Sequence, residues 1–150
     1  MLRVNKVLFP SDLTENSSKI LPYVLSLAEK YNSQIYLLHV VQDLQRWGNF
    51  FIPHGSTEVY QKEAMQGAEK AMNRVCEEGL KGCPNFKRVI VSGDPASKIL
   101  ETIESEDIDM VVLGTHGRKG LEHAIFGSVA ENVVKKSPVP VLTVNPYKLK

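Results

Sequence analysis

Apolar residues follow two alternating rhythms along this chain: short unbroken runs, and longer stretches spaced three and four apart. Residues 3–9 read as a first strand, which Pro10, Ser11 and Asp12 stop. Asp12 or Thr14 is placed to cap a helix over 15–31. Its Ile20, Leu21, Val24, Leu25, Leu27 and Ala28 share one broad face. Pro22 is comfortable only in a first turn, so this helix is expected to start late or to bend there. Asn32 and Ser33 make the turn into a second strand, Gln34 to Val41, apolar enough to be buried on both faces.

Residues 42–57 break the rhythm, and no clean period runs through Asp43, Arg46, Trp47, Gly48, Asn49, Phe50, Phe51, Pro53, His54 and Gly55. They read as a long loop, which a compact domain usually keeps for function. Its three large aromatics lie over a ligand or a partner, or anchor the loop to the body; the sequence supports both equally. Val59 to Leu80 reads as the next helix, with Ala64, Ala68, Ala71, Met72 and Val75 on its apolar side. Gly79, Gly82 and Pro84 end it. A third strand follows at Phe86 to Val91, then a turn at Gly93–Ala96 into a short helix with Pro95 near its first position. Ile99, Leu100 and Ile103 form that helix's inner side.

Ile108 to Leu113 is a fourth strand. Beyond the loop after it, Leu121, Ile125, Val129 and Val133 recur every four residues. Lys135 and Lys136 occupy the last turn, where cations suit the helix dipole. Val139 to Val144 is a fifth strand. Pro140 cannot donate to a ladder, which puts this strand at an edge.

Strand and helix alternate four times before the last strand. That order predicts an α/β fold, a parallel sheet with helices on both faces, in one domain over 1–150. No internal repeat or low-complexity segment interrupts it. Ligands in such sheets bind beyond the carboxyl ends of the strands, where strand order reverses. The loops at that rim are 10–14, 41–55, 92–96 and 114–128.

Composition narrows the function classes. The chain has 150 residues, 43% hydrophobic and 23% charged, enough for a real core. A net charge of +1 creates no demand for nucleic acid or an anionic membrane. Its apolar runs are too short for a transmembrane helix, and the N-terminal residues lack a secretory pattern, so a cytoplasmic protein is expected. Cys76 and Cys83 match neither a redox pair nor a usual zinc pair and read as reduced, incidental thiols.

The candidate chemistry lies in one stretch, Gly114-x2-Gly117-x9-Gly127-Ser128. Glycines let the backbone approach a ligand closely. A helix N-terminus adds free N–H groups and a positive dipole end, and together these make an anion site. Ser128 is placed to cap the helix, with Glu131 completing a Ser-x-x-Glu capping box. If it also binds phosphate, the two roles compete. No P-loop, nucleophile elbow or adenylating signature occurs, and no catalytic residue is assigned. A phospho-receiver domain would need an acidic pair after the first strand and a Lys after the fifth, and neither is present.

This motif, continued by Val129, Ala130 and Glu131, resembles the nucleotide-binding signature of the universal stress protein family, in its ATP-binding branch. The resemblance extends to Asp12 after the first strand, His39-Val40-Val41 ending the second, Gly93-x-Pro95 after the third, and Pro138 to Val141 leading the last. It implies a three-layer, Rossmann-like sandwich related to the adenine nucleotide alpha hydrolases, with a five-stranded parallel sheet in the order 3-2-1-4-5. It also implies ATP as the ligand, the need for Mg²⁺ being left open, and a homodimer through Val139–Val144. Pro10 and Asp12 would then line the adenosine pocket, although Asp12 is equally explained as a cap. Val41 would meet the adenine edge with its backbone, although strand core explains it too. Leu113 and Gly114 would follow the ribose and phosphate path. His116 and Gly117 would lie over the phosphates, with Arg118 and Lys119 adding charge. Gly127, Ser128 and Val129 would donate backbone N–H groups. His123 stands where a basic residue is common, and Ala130 where some ATP binders carry a hydroxyl. The implied function is a nucleotide-dependent switch in stress response, acting on an unidentified protein partner. The alternatives are a homologue that works through protein contacts without nucleotide, and a slow ATPase.

Overall fold

A computed structural model describes residues 1–43, 54–83 (backbone alone over 54–57), 85–116 and 126–150. The chain runs β1 (Lys6–Pro10), α1 (Glu15–Ser18), α2 (Leu21–Tyr31), β2 (Gln34–Gln42), α3 (His54–Gly79), β3 (Phe86–Gly93), α4 (Pro95–Ser105), β4 (Met110–Gly114), α5 (Ser128–Lys136) and β5 (Val141–Val144). The five strands form one sheet in the order β3-β2-β1-β4-β5, and every neighbouring pair is parallel. This is the expected α/β architecture and strand order.

Parallel strands need crossovers, and the crossover helices cover both faces. Successive side chains on a strand point to opposite faces, and the core divides accordingly. Val7 and Phe9 of β1 join Ile35 and Leu37 of β2 under α2 and α3, against Val24, Ala28 and Met72. Leu8, Tyr36, Leu38, Val111 and Leu113 lie on the other face, under Ile99 and Ile103 of α4 and Ala130 and Val133 of α5.

Several expectations shift in detail. The helix expected over 15–31 is two helices, because α1 stops at Ser18 and α2 begins at Leu21 with Pro22 in its first turn. There the missing proline N–H has no intrahelical partner to lose. Of the two candidate caps, Thr14 is the N-cap of α1. β1 starts later than expected, because the Asn5 and Lys6 N–H groups donate to the Asp109 carboxylate at 2.8 and 2.9 Å. α3 begins at His54, five residues before Val59, so the stretch read as a loop to residue 57 ends sooner. That first turn carries polar residues and glycine, which hid it from apolar periodicity. The rest of the stretch, with Trp47, Phe50 and Phe51, lies outside the described residues, as do Leu121 and Ile125. β5 is an edge strand, as Pro140 implied.

Phe9 is 1% exposed at the centre of the sheet. Phe9→Ala is expected to cost about 3–5 kcal/mol of unfolding free energy, measured by urea denaturation.

Candidate functional site

From β1 the chain builds outward through β2 to β3, and from β4 it builds the other way to β5. The strand order therefore reverses between β1 and β4, and the carboxyl ends of those two strands border a crevice. Three backbone segments meet at this rim: the β1–α1 turn, the end of β4, and the start of α5.

The β1–α1 turn is held by a dense set of bonds. The Ser11 N–H donates to the Leu38 carbonyl (2.8 Å). The Ser11 hydroxyl pairs with that of Ser17 at 2.7 Å and accepts the Leu13 N–H at 3.0 Å. Leu13 sits at φ 63, a left-handed conformation unusual for a leucine, and these bonds over-determine it. Asp12 Oδ1 accepts from the Thr14 N–H (3.0 Å) and the Thr14 hydroxyl (2.5 Å). Asp12 Oδ2 is buried and has no hydrogen-bond partner among the described residues. Buried polar atoms are ordinarily paired, so an orphan of this kind marks a place where a donor is wanted.

β4 ends at Gly114, where an added Cβ would come within 2.7 Å of Ile20 Cδ1. Glycine lets α2 pack close to the strand end. The Thr115 N–H then bonds to the Val144 carbonyl (2.9 Å), and the Thr115 carbonyl accepts the Gly127 N–H (2.7 Å). That second bond returns the chain to the strand end and sets where α5 begins. An added Cβ at Gly127 would stand 3.3 Å from the same carbonyl.

Here the expected capping box is corrected. Gly127 is the N-cap, and its carbonyl accepts the first helical bond from Glu131 at 3.0 Å. Ser128 is already inside the helix, one residue too late to cap. Glu131 does not reach back either. It pairs with Lys135 at 2.6 Å, and that bond and charge hold its carboxyl below the usual range. The competition expected for the Ser128 hydroxyl therefore does not arise. Among the described residues no side chain caps α5. Because the Gly127 N–H is engaged with Thr115, the first-turn donors facing outward are those of Ser128, Val129 and Ala130.

Val41 lies past the last β1–β2 rung, Pro10 against Leu38, so no β1 residue stands opposite it. On its other side it pairs with Ser92 of β3, and its side chain is buried. Leu113 is buried against α4 and α5. The His116 ring is 3% exposed. Its Nδ1 lies 2.7 Å from the Thr115 hydroxyl, and its ring meets Tyr147 edge-on at 5.5 Å. The imidazole thus packs inward, and the rim at this point is formed by backbone. Gly117 and Arg118, with Lys119 and His123, lie outside the described residues.

The structure brings Pro10, Asp12, Val41, Leu113, Gly114, Gly127, Ser128 and Val129 to one rim. Two contributors were given no site role from the sequence. Tyr147, beyond the last strand, packs on His116 and accepts a bond from the Asn16 side chain (3.1 Å). His39, a lone polar residue in an apolar strand, donates from Nδ1 to the Ser11 carbonyl (2.8 Å). Among the described residues no group of three His, Cys, Asp or Glu side chains could hold a metal ion. Both cysteines are free thiols, and burial pushes the Cys76 pKa up, away from thiolate chemistry. No described helix is long and apolar enough to cross a membrane.

Known proteins resemble this chain in sequence and fold. Universal stress protein MJ0531 of Methanocaldococcus jannaschii is 32% identical, over 95% of this chain and 83% of its own. MJ0577 of the same organism is 29% identical, over 93% of each. The solved MJ0577 structure matches with a TM-score of 0.83 at 28% identity, covering 96% of this chain and 97% of that one. More distant structures share the fold. One is a universal stress protein in complex with cAMP, at TM-score 0.62 and 20% identity, covering 96% of this chain and 98% of that one. Another is the Archaeoglobus fulgidus universal stress protein in complex with dAMP, at TM-score 0.68 and 16% identity, covering 97% of this chain and 100% of that one. The model of the universal stress protein family matches residues 3–145, which contain all five strands and both sides of the rim. On that match, this chain belongs to the universal stress protein family.

Proposed function

We propose that this protein is an ATP-binding module whose adenosine lies between the Pro10–Thr14 turn and the Val41 end of β2. In this reading the phosphates sit at the N-terminus of α5. The observation that carries it is the buried Asp12 Oδ2, without a hydrogen-bond partner among the described residues, at the point where strand order reverses. A carboxylate oxygen accepts and does not donate. A nucleoside offers it donors, in ribose hydroxyls and an exocyclic amine. The complexes of structurally similar universal stress proteins with cAMP and with dAMP support an adenine nucleotide as the ligand class.

Each residue then has a distinct part. Asp12 accepts from the nucleoside, and Pro10 lines the pocket beside it. The Val41 backbone, with no β1 neighbour, meets the base edge. Leu113 and Gly114 border the ribose and phosphate path, and His116 contributes backbone with its ring tied inward. The Ser128 and Val129 N–H groups, with the Ser128 hydroxyl, hold phosphate oxygens at the positive end of the helix dipole. Gly127 serves by its smallness, since a side chain would crowd the Thr115 carbonyl. Gly117 and Arg118 complete the phosphate end, with Mg²⁺ as an accompanying ion where ATP requires it. No residue is assigned to catalysis.

Nucleotide occupancy is the switch in this reading, and a protein partner in the cytoplasm reads it as part of a stress response. The single domain pairs with a second copy through Val139–Val144. The exposed edge of β5, with Leu142 at 42% exposure, supports that pairing.

Two measurements check this. Gly127→Val is expected to abolish ATP binding in calorimetry while the circular dichroism spectrum stays native; unchanged affinity in a folded variant contradicts the phosphate site. Light scattering after size exclusion is expected to give the mass of a dimer. A monomer at micromolar concentration contradicts the pairing.

A further inference from the structure

Past the rung between Pro10 and Leu38, β1 and β2 part company. β1 turns away through Ser11 and Asp12, while β2 continues through His39 to Val41 and Gln42. The two walls of the proposed adenosine pocket are these diverging ends. The Ser11 N–H still reaches the Leu38 carbonyl. Beyond that bond, His39 Nδ1 to the Ser11 carbonyl, at 2.8 Å, is the side-chain tie between the walls among the described residues. Ser11 is the residue next to Asp12, and His39 is two residues from Val41 on the same strand.

We infer that His39 is a positioning residue for nucleoside binding: through the Ser11 carbonyl it fixes the Asp12 carboxylate relative to the Val41 backbone. The inference rests on the nucleotide reading above. A carbonyl oxygen only accepts, so Nδ1 must carry a proton. The Ser11 hydroxyl is already engaged with Ser17 and Leu13. Ser11 is thereby gripped through its N–H, its carbonyl and its side chain. The strained Leu13 follows it, and the bonds from Thr14 fix Asp12 Oδ1. Asp12 Oδ2 alone is left for a ligand. Without the imidazole the Ser11 carbonyl loses its side-chain donor and the turn can shift, moving Asp12 relative to the end of β2. The phosphate end hangs on a separate bond, Gly127 to Thr115. The effect therefore belongs to the nucleoside alone.

Three variants separate the donor from the bulk of the ring. Asn places an amide N–H near Nδ1, Gln places one near Nε2, and Leu fills similar space with no donor. Titrating ATP and AMP by calorimetry, His39→Leu is expected to weaken both by the same factor, about fivefold or more. His39→Asn should stay within about twofold of the wild type, and His39→Gln should resemble Leu. In ¹⁵N-labelled wild-type protein the imidazole should show a protonated Nδ1. Equal affinities for wild type and folded His39→Leu would overturn the inference, as would a bare Nδ1. If His39→Leu does not fold, the Asn and Gln pair and the protonation of Nδ1 decide. A wild type that binds no adenine nucleotide would instead sink the nucleotide reading itself, which keeps the two failures distinct.

Discussion

The pairing of β1 with β4, Val7 against Met110 and Leu8 against Val111, is the contact on which the rest of the molecule depends. It joins the first half of the chain, which builds outward through β2 and β3, to the second half, which builds the other way to β5. Asp109 reinforces it by accepting both the Asn5 and Lys6 N–H groups, while its own N–H bonds to the Lys6 carbonyl. Because parallel strands can be joined only by crossovers, their connections at one end must diverge from this line. The crevice follows from topology. What the sequence adds there is chemistry: a carboxylate from one half and an uncapped helix from the other.

Both halves fix their contributions with backbone geometry. On the β1 side the Ser11–Asp12–Leu13–Thr14 turn is held by bonds within itself and to Ser17, Leu38 and His39, and Asp12 Oδ2 has no partner among the described residues. On the β4 side Gly114 and Gly127 remove bulk so that Ile20 and the Thr115 carbonyl can approach. The helix end is thereby placed by one main-chain bond, leaving first-turn donors open. An anion site made of backbone dipoles is pre-aimed and needs no flexible side chain to be ordered on binding.

Much of this was legible in the sequence. Apolar runs alternating with helical periods gave the parallel sheet and the edge position of β5, since burial on both faces and a ladder-breaking Pro140 leave plain compositional traces. The motif spacing located the start of α5. Boundaries governed by single hydrogen bonds were less legible. Whether Gly127 or Ser128 caps α5 depends on the bond to Thr115, and no local pattern encodes it. The split of the first helix was half visible, because Pro22 signals a new first turn without saying where the earlier helix stops. The first turn of α3 at His54 was hidden because its residues carry no apolar period. His39 stood out only as part of the ending of the second strand, and Tyr147 not at all, since each acts on a neighbour brought close by the fold: one on Ser11 across a strand pair, the other on His116 from beyond the last strand.

The measurement that tests the account most directly is calorimetric titration of ATP into wild-type protein freed of bound ligand, with AMP and GTP alongside, in the presence and absence of Mg²⁺. The account predicts saturable binding that favours ATP, because the site joins an adenosine pocket to a phosphate-binding helix end. Absence of binding in protein shown to be folded would contradict it, and would leave the glycine motif as a turn that only seats α5 on the sheet.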